Sequence, residues 1–295
     1  MNTSAARILL AVLSACLLST LFSHTGFSQT ADPADQATPK IVTLAPHLAE
    51  LVFSAGAGDQ LIGVSAYSDF PEAVLALPQV GDAFLVDQER LALLAPDLIL
   101  AWESGTPERT VAELRKQGFR VEVVRTRSLA DVAVALEAIG RLAGTETIAA
   151  TTAAQFTASI GRLREKHANG ESIRVFYQIS ARPIYTVSGS HYISELIEIC
   201  GGSNIFADLG ELAPLVSEEA VLARNPELML AGGGEVDAVF EPWLRWDSMA
   251  AVRWRNLSIV EADLIGRATP RLAEAGSAVC AALDAGRQRR AAAEA

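Results

Sequence analysis

Metal-binding and redox residues are scarce in this chain, with four histidines and three cysteines in 295 residues. His24, His47, His167 and His191 are scattered, no two at metal-ligand spacing, so no metal site is expected. Net positive charge is absent. The chain carries −11 at neutral pH, which leaves no basic face for phosphates and argues against a nucleic-acid partner. A second long hydrophobic run is missing too. Residues 8–22, ILLAVLSACLLSTLF, follow Arg7 and form the one extended apolar stretch, short of the ~20 residues that a spanning helix needs. Catalytic signatures are thin. GAGDQLIG at residues 56–63 lacks the strand-to-helix setting of a dinucleotide loop. SGSH at residues 188–191 sets a serine near a histidine without a nucleophile elbow or an evident acid. A secreted hydrolase built on Ser188 and His191 is therefore a remote alternative, and an enzyme is not expected.

What is present begins with an export signal. Residues 1–30 read as a signal peptide and cleavage region, and residues 31–39 as a flexible leader, polar and rich in small residues. Two processing routes compete. LSAC at residues 13–16 resembles a lipoprotein box, which would leave a lipid-modified Cys16 at the mature N-terminus. Against it, the apolar run continues through Leu17, Leu18, Leu21 and Phe22. Export as a soluble periplasmic protein is the reading taken. Loss of Cys16 leaves Cys200 and Cys280, either as two buried thiols or as a disulfide. An oxidising compartment favours the bridge, worth about 4 kcal/mol in the chain-entropy model, and it would tie the final helix to the C-terminal lobe.

The mature chain repeats itself. VDQERLALLAPDLIL at residues 86–100 recurs in outline as VSEEAVLARNPELML at residues 216–230, an offset of 130. AELVFSAGAGDQL at residues 49–61 answers SELIEICGGSNIF at residues 194–206. Two repeats in the same order suggest one fold built twice, with a working cleft between the copies. Short apolar runs at 41–44, 61–65, 98–101 and 121–124 alternate with helical periodicity at 48–55 and 128–142. The second half has strands at 174–178, 185–187, 228–231 and 258–261, with helices at 192–199 and 271–285. This alternation predicts an α/β fold of two Rossmann-like lobes with central parallel sheets, each with its own core. Residues 145–167 read as one long helix. The expected layout is an N-terminal lobe at 40–143, a linking helix at 144–169, a C-terminal lobe at 170–288 and a polar tail at 289–295. A single helical connection predicts small opening and closing motion.

In open α/β sheets the ligand lies beyond the carboxyl ends of the strands. There the sequence places Tyr67, Trp102, Tyr185 and, in the segment after Gly81, Phe84. In a chain with 6% aromatic residues this clustering is informative. Each ring either caps the core of its own lobe or offers the cleft a flat apolar face. The latter suits a large, rigid, partly apolar ligand better than a sugar or an ion. Asp263 and Arg267 follow the last strand, in a loop holding Gly266. They form either a surface ion pair or a donor and acceptor for a polar ligand edge. Arg271 reads as structural. His47, which opens the first helix near the cleft, either touches ligand or is solvated, the ordinary state of a helix-start histidine. Asp87 and Ser217 look like N-caps, which sets Glu89 and Glu219 in the first turns of equivalent helices. A pseudo-twofold would present these two carboxylates on one rim, to a partner with two basic sockets.

VSAYSDFPEA, ERLALLAPDLILAW, CGGSNIF, VSEEAVLAR and ADLIGRATPR together resemble the cobalamin-binding branch of the helical-backbone (class III) substrate-binding proteins, which also include siderophore and haem receptors. The likeness runs from about residue 41 to 283. It implies cobalamin held between the lobes as transported ligand, no cofactor, no catalysis, and a monomer that serves the inner-membrane permease of an ABC importer. It implies ligand contacts at Tyr67, Trp102 and Tyr185, polar contacts at Asp263 and Arg267, permease docking by Glu89 and Glu219, and a Cys200–Cys280 disulfide. Where the family has two tryptophans, this chain has Ala83, with Phe84 beside it, and Ala213. Trp243 and Trp246 either compensate or pack a helix. A siderophore, haem or another corrinoid is the alternative ligand, although a siderophore site would call for more basic residues around Arg267.

Overall fold

The computed structural model describes residues 38–82 and 85–295. The signal segment, Cys16 and Phe84 lie outside the described residues. β1 (Ile41–Thr43), β2 (Leu61–Gly63), β3 (Leu98–Trp102) and β4 (Val121–Val124) form a parallel sheet in the order β2-β1-β3-β4. Its helices are α1 (Pro46–Ser54), α2 (Gln88–Leu94), α3 (Glu108–Lys116) and α4 (Leu129–Ala143). α1 carries proline at its start, where the missing N–H costs nothing. α4 opens on a capping box between Ser128 and Asp131.

After two residues the chain enters α5 (Glu146–His167), 22 residues long and so about 33 Å. The second half holds β5 (Ile173–Gln178), β6 (Ser180–Ala181), β7 (Ile184–Tyr185), α6 (Tyr192–Ile199), β8 (Gly202–Asn204), α7 (Glu218–Arg224) and β9 (Leu228–Gly232). It closes with α8 (Val236–Phe240), α9 (Ala250–Arg253), β10 (Leu257–Val260), α10 (Ala262–Ile265) and α11 (Leu272–Glu294). Its parallel sheet runs β8-β5-β9-β10, the same order as the first. The duplication extends to single residues. β3 and β9 stand 130 residues apart, and the helix before each ends on a left-handed residue, Ala95 (φ 46°) or Asn225 (φ 43°).

Alternate strand residues feed different cores, as the two-residue period of a strand requires. Ile41, Leu98 and Leu100 join Val175, Leu228 and Leu230 in one cluster, which also takes Phe156 and Ile160 of α5. Val42, Ile99 and Ala101 enter a second cluster, and Phe176, Met229 and Ala231 a third. The two lobes therefore share a central core besides having one each. α5 is what fuses them: it meets α4 where Gly140 faces Ala149, a site with no room for a Cβ, and α11 where Leu163 faces Gly276.

Three expectations change. Residues 185–187 are not a strand of the main sheet, because Tyr185 sits in an antiparallel two-residue pair, β6 with β7. The place in the sheet is taken by β8, whose sequence GSN has no β-branched residue to signal it. Residues 289–295 are not a free tail, since α11 continues to Glu294. Its arginines hold it down: Arg287 donates to Glu171 O (2.6 Å), Arg289 to Asn256 Oδ1 (2.9 Å) and Arg290 to Glu171 Oε2 (2.7 Å). Asp263 lies in the one-turn helix α10, not in a loop. Cys200 and Cys280 are disulfide-bonded and tie the end of α6 to α11.

Candidate functional site

The carboxyl ends of both sheets open on one cavity of about 520 Å³. The N-terminal lobe contributes Trp102, Ser104, Thr126 and Arg127, and the C-terminal lobe Tyr177, Ile179, His191, Tyr192, Ile193, Leu212, Ala213 and Gly266. Trp102 ends β3. A turn fixes it there: its N–H donates to Thr106 Oγ1 (3.0 Å) and its carbonyl accepts from the Thr106 N–H (2.8 Å). Gly105 makes room for the indole, since a Cβ there would fall 2.0 Å from Trp102 Cε3. Arg127 forms two bonds to Glu103 (2.8 and 3.0 Å).

The opposite wall is aromatic and internally bonded. Tyr177 is the penultimate residue of β5, and Tyr192, which opens α6, donates to Ile265 O (3.2 Å). Burial raises both phenols above their ordinary pKa and keeps them neutral. His191 caps α6 by accepting the Ile193 N–H at Nδ1 (3.1 Å), and burial pushes its imidazole down to about 4. Ser188 Oγ pairs with Ser190 Oγ at 3.0 Å. The serine and histidine of the hydrolase alternative meet through the backbone, His191 N–H donating to Ser188 O (3.2 Å), and among the described residues no hydrogen bond joins their side chains.

Below the cavity the lobes are joined by charge. Arg267, one residue past cavity-lining Gly266, pairs with Glu50 (2.8 Å), Asp69 (2.6 Å) and Asp263 (2.9 Å). Glu50 is only 2% exposed and also meets Arg271 at 3.4 Å. Burial works against the Arg267 charge, but the hydrogen bonds to Asp69 and Glu50 and the Asp263 charge outweigh it, so its pKa rises. Arg267 in turn holds the Asp69 carboxyl below the usual carboxylate range. Arg271 stacks over Phe70 at 4.1 Å. A second link has the Leu129 N–H, at the start of α4, donating to Glu195 on α6 (3.3 Å).

The predicted residues fall around this cleft in different ways. Trp102 lines the cavity. Tyr67 does not line it but stands nearby, 81% exposed, at φ 65°, with its carbonyl accepting from Arg267 Nη2 at 3.4 Å. Tyr185 is half-exposed, and its carbonyl accepts from the N–H of cavity-lining Ile179 (2.9 Å). Asp263 and Arg267 pair with each other at the lobe junction. Glu89 and Glu219 are exposed in the first turns of α2 and α7, capped by Asp87 and Ser217, and neither forms an ion pair among the described residues. The Glu219 carboxyl is lowered by its own backbone N–H and the Ser217 hydroxyl. Trp243 is buried beside Phe176 and bonded to Gln178 (2.7 Å), while Trp246 donates to Glu218 (3.0 Å), so neither reaches the cavity. His47 is buried, not solvated. Sequence reasoning missed Tyr177, Tyr192 and Thr126. Tyr177 was within reach, because the strand-end argument applied to β5 leads to it.

A two-lobed α/β chain with matched sheets, a shared core and an inter-lobe cleft is the architecture of a binding protein. The chain belongs to the periplasmic binding protein family, whose model matches residues 41–262. It is 36% identical over 242 residues to a vitamin B12-binding protein of Vibrio cholerae, covering 82% of this chain and 87% of that one. A vitamin B12-binding protein of Pectobacterium carotovorum is 34% identical over 248 residues, covering 83% and 88%. The crystal structure of the periplasmic vitamin B12 binding protein BtuF of Vibrio cholerae superposes with a TM-score of 0.78 at 34% identity, over 85% of this chain and 98% of that one. The periplasmic haem-binding protein BhuT shares the fold alone, at 20% identity and TM-score 0.75 over 85% of this chain and 99% of that one.

Proposed function

We propose that this protein captures cobalamin between its lobes and delivers it to the permease of an ABC importer. The observation that carries the reading is the cleft itself: an indole from one lobe faces two phenols from the other across about 520 Å³. Flat rings on facing walls suit a planar macrocycle. A corrinoid with its appended nucleotide is larger than the drug-sized ligands that fill such cavities. The remainder would rest on the exposed rim, where Tyr67, Tyr185 and Leu215 present apolar surface. A tyrosine with positive φ is strained by about 1 kcal/mol or more, and an exposed ring held that way fits a contact role. Asp263 and Arg267 would supply polar contacts at the lobe junction, and Phe84 a further ring. Glu89 and Glu219, on equivalent helices, would dock on basic residues of the permease. The core shared by the lobes supports small motion on binding.

Residues 1–30 would direct export to the periplasm, with Cys16 as an alternative lipid anchor, and the mature protein would act as a monomer. Among the described residues no helix is long and apolar enough to cross a membrane. Calorimetric titration with cyanocobalamin tests the assignment. One site with a sub-micromolar dissociation constant is expected, and absence of both heat and a corrin spectral change would overturn it.

A further inference from the structure

The N-terminal wall of the cleft holds buried polar atoms that no protein group satisfies. His47 Nε2, Trp102 Nε1 and Thr126 Oγ1 are all inaccessible and unpartnered. Trp102 and Thr126 line the cavity. The His47 ring, 6% exposed, packs edge-on against the Trp102 indole with centroids 5.0 Å apart. Burial, with the Arg267 charge second, pushes the His47 imidazole down to about 3, so the ring is neutral at neutral pH.

These groups define a chemistry. The indole only donates, the hydroxyl does both, and Nε2 of a neutral imidazole either donates or accepts according to its tautomer. A primary amide, with one carbonyl and two N–H, matches that set. A carboxylate only accepts, and would leave Nε2 unmet in the tautomer whose proton sits on Nδ1.

We propose that His47, with Trp102 and Thr126, forms a niche for a neutral carboxamide and is the residue by which the cleft prefers amide-bearing ligands over their carboxylates. The inference rests on the cobalamin reading, because it assigns the niche to an amide at the corrin edge. Ligand binding has to turn the Trp102 indole, which brings its N–H and His47 Nε2 to face the cavity.

The test is calorimetry on the full chain with cyanocobalamin and with its monocarboxylate isomers, each lacking one peripheral amide. Wild type is expected to bind at least one isomer about tenfold more weakly than the parent. His47→Phe keeps a ring but removes both nitrogens, and is expected to bind the parent about tenfold more weakly and to lose the discrimination. His47→Gln returns a donor and an acceptor and should recover most of it, a rescue that a purely packing role would not produce. Trp102→Phe, which keeps an aromatic ring but removes the N–H donor along with part of the ring area, should also lose the discrimination and serves if His47→Phe does not fold. Wild-type affinity and discrimination in the folded variants would overturn the niche and leave the cobalamin reading standing. No binding of cyanocobalamin by wild type would overturn both, and that result is read before any variant is made.

Discussion

The two lobes share one topology but present opposite walls to the cleft. In the C-terminal lobe the polar groups behind the wall are bonded to each other. Gln178 donates to Val239 O (3.1 Å) and accepts from Trp243 (2.7 Å), Ser194 donates to Ser188 O (2.6 Å), and Asn204 donates to Val187 O (2.8 Å). In the N-terminal lobe Thr43, His47, Trp102 and Thr126 each keep a buried side-chain atom without a partner. Among the described residues every such atom precedes residue 146. An unmet buried donor or acceptor costs about 1–3 kcal/mol, so the N-terminal wall is the one with most to gain from a polar ligand. A duplicated fold has divided the work: one copy is a settled backstop, the other a receptive face.

The largest test of this contrast is the junction between the walls. Arg267→Ala leaves Glu50 buried with only Arg271 beside it, so stability should fall by about 3 kcal/mol in urea unfolding, and cobalamin affinity should weaken. An unchanged midpoint would mean that the lobes are held by the shared core alone. A smaller effect isolates the receptive wall. The folded-state pKa of His47 lies below its unfolded value of about 6.5, so the unfolded chain binds the extra proton and stability is lost as pH falls from about 6.5 toward 3. At pH 5 this amounts to about 2 kcal/mol. Melting curves at pH 7 and pH 5 should converge for His47→Gln relative to wild type, and equal pH slopes would count against a buried neutral imidazole. The smallest effect on the molecule comes from the rim, where both lobes contribute alike. Glu89→Arg combined with Glu219→Arg should change stability by no more than about 0.5 kcal/mol and leave ligand binding intact. Transport into permease-bearing vesicles should stop, and lost ligand binding would contradict a docking role.

Much of the fold was legible because it is local or periodic. α6 begins and ends where its pattern predicts, at Tyr192 and Ile199, and the Asp87 and Ser217 caps hold the helices they precede. What escaped is instructive. β8 pairs with β5 although GSN lacks strand propensity, since the sheet edge supplies the order that the side chains do not. The last turns of α11 read as a tail because their arginines look solvated, until Glu171, Glu227 and Asn256 are brought beside them. In the site, Trp102 was visible as a strand-end aromatic. His47 was visible as a residue near the cleft, but nothing in its neighbours announces that a helix-start histidine will be buried against that indole.

The sequence alone determined the doubling of the fold, the parallel order that alternating strands and helices require, the long connecting helix and the two cysteines available for a bridge. These follow from spacing along the chain, where hydrophobic period and turn chemistry act over a few residues. Only the tertiary structure decided that Arg267 meets Glu50, 217 residues away, and that the lobes merge in one core. It also decided that one wall of the cleft keeps its polar atoms unmet. Those outcomes depend on how two finished lobes dock, and docking is set by shape and charge that no local stretch of chain carries.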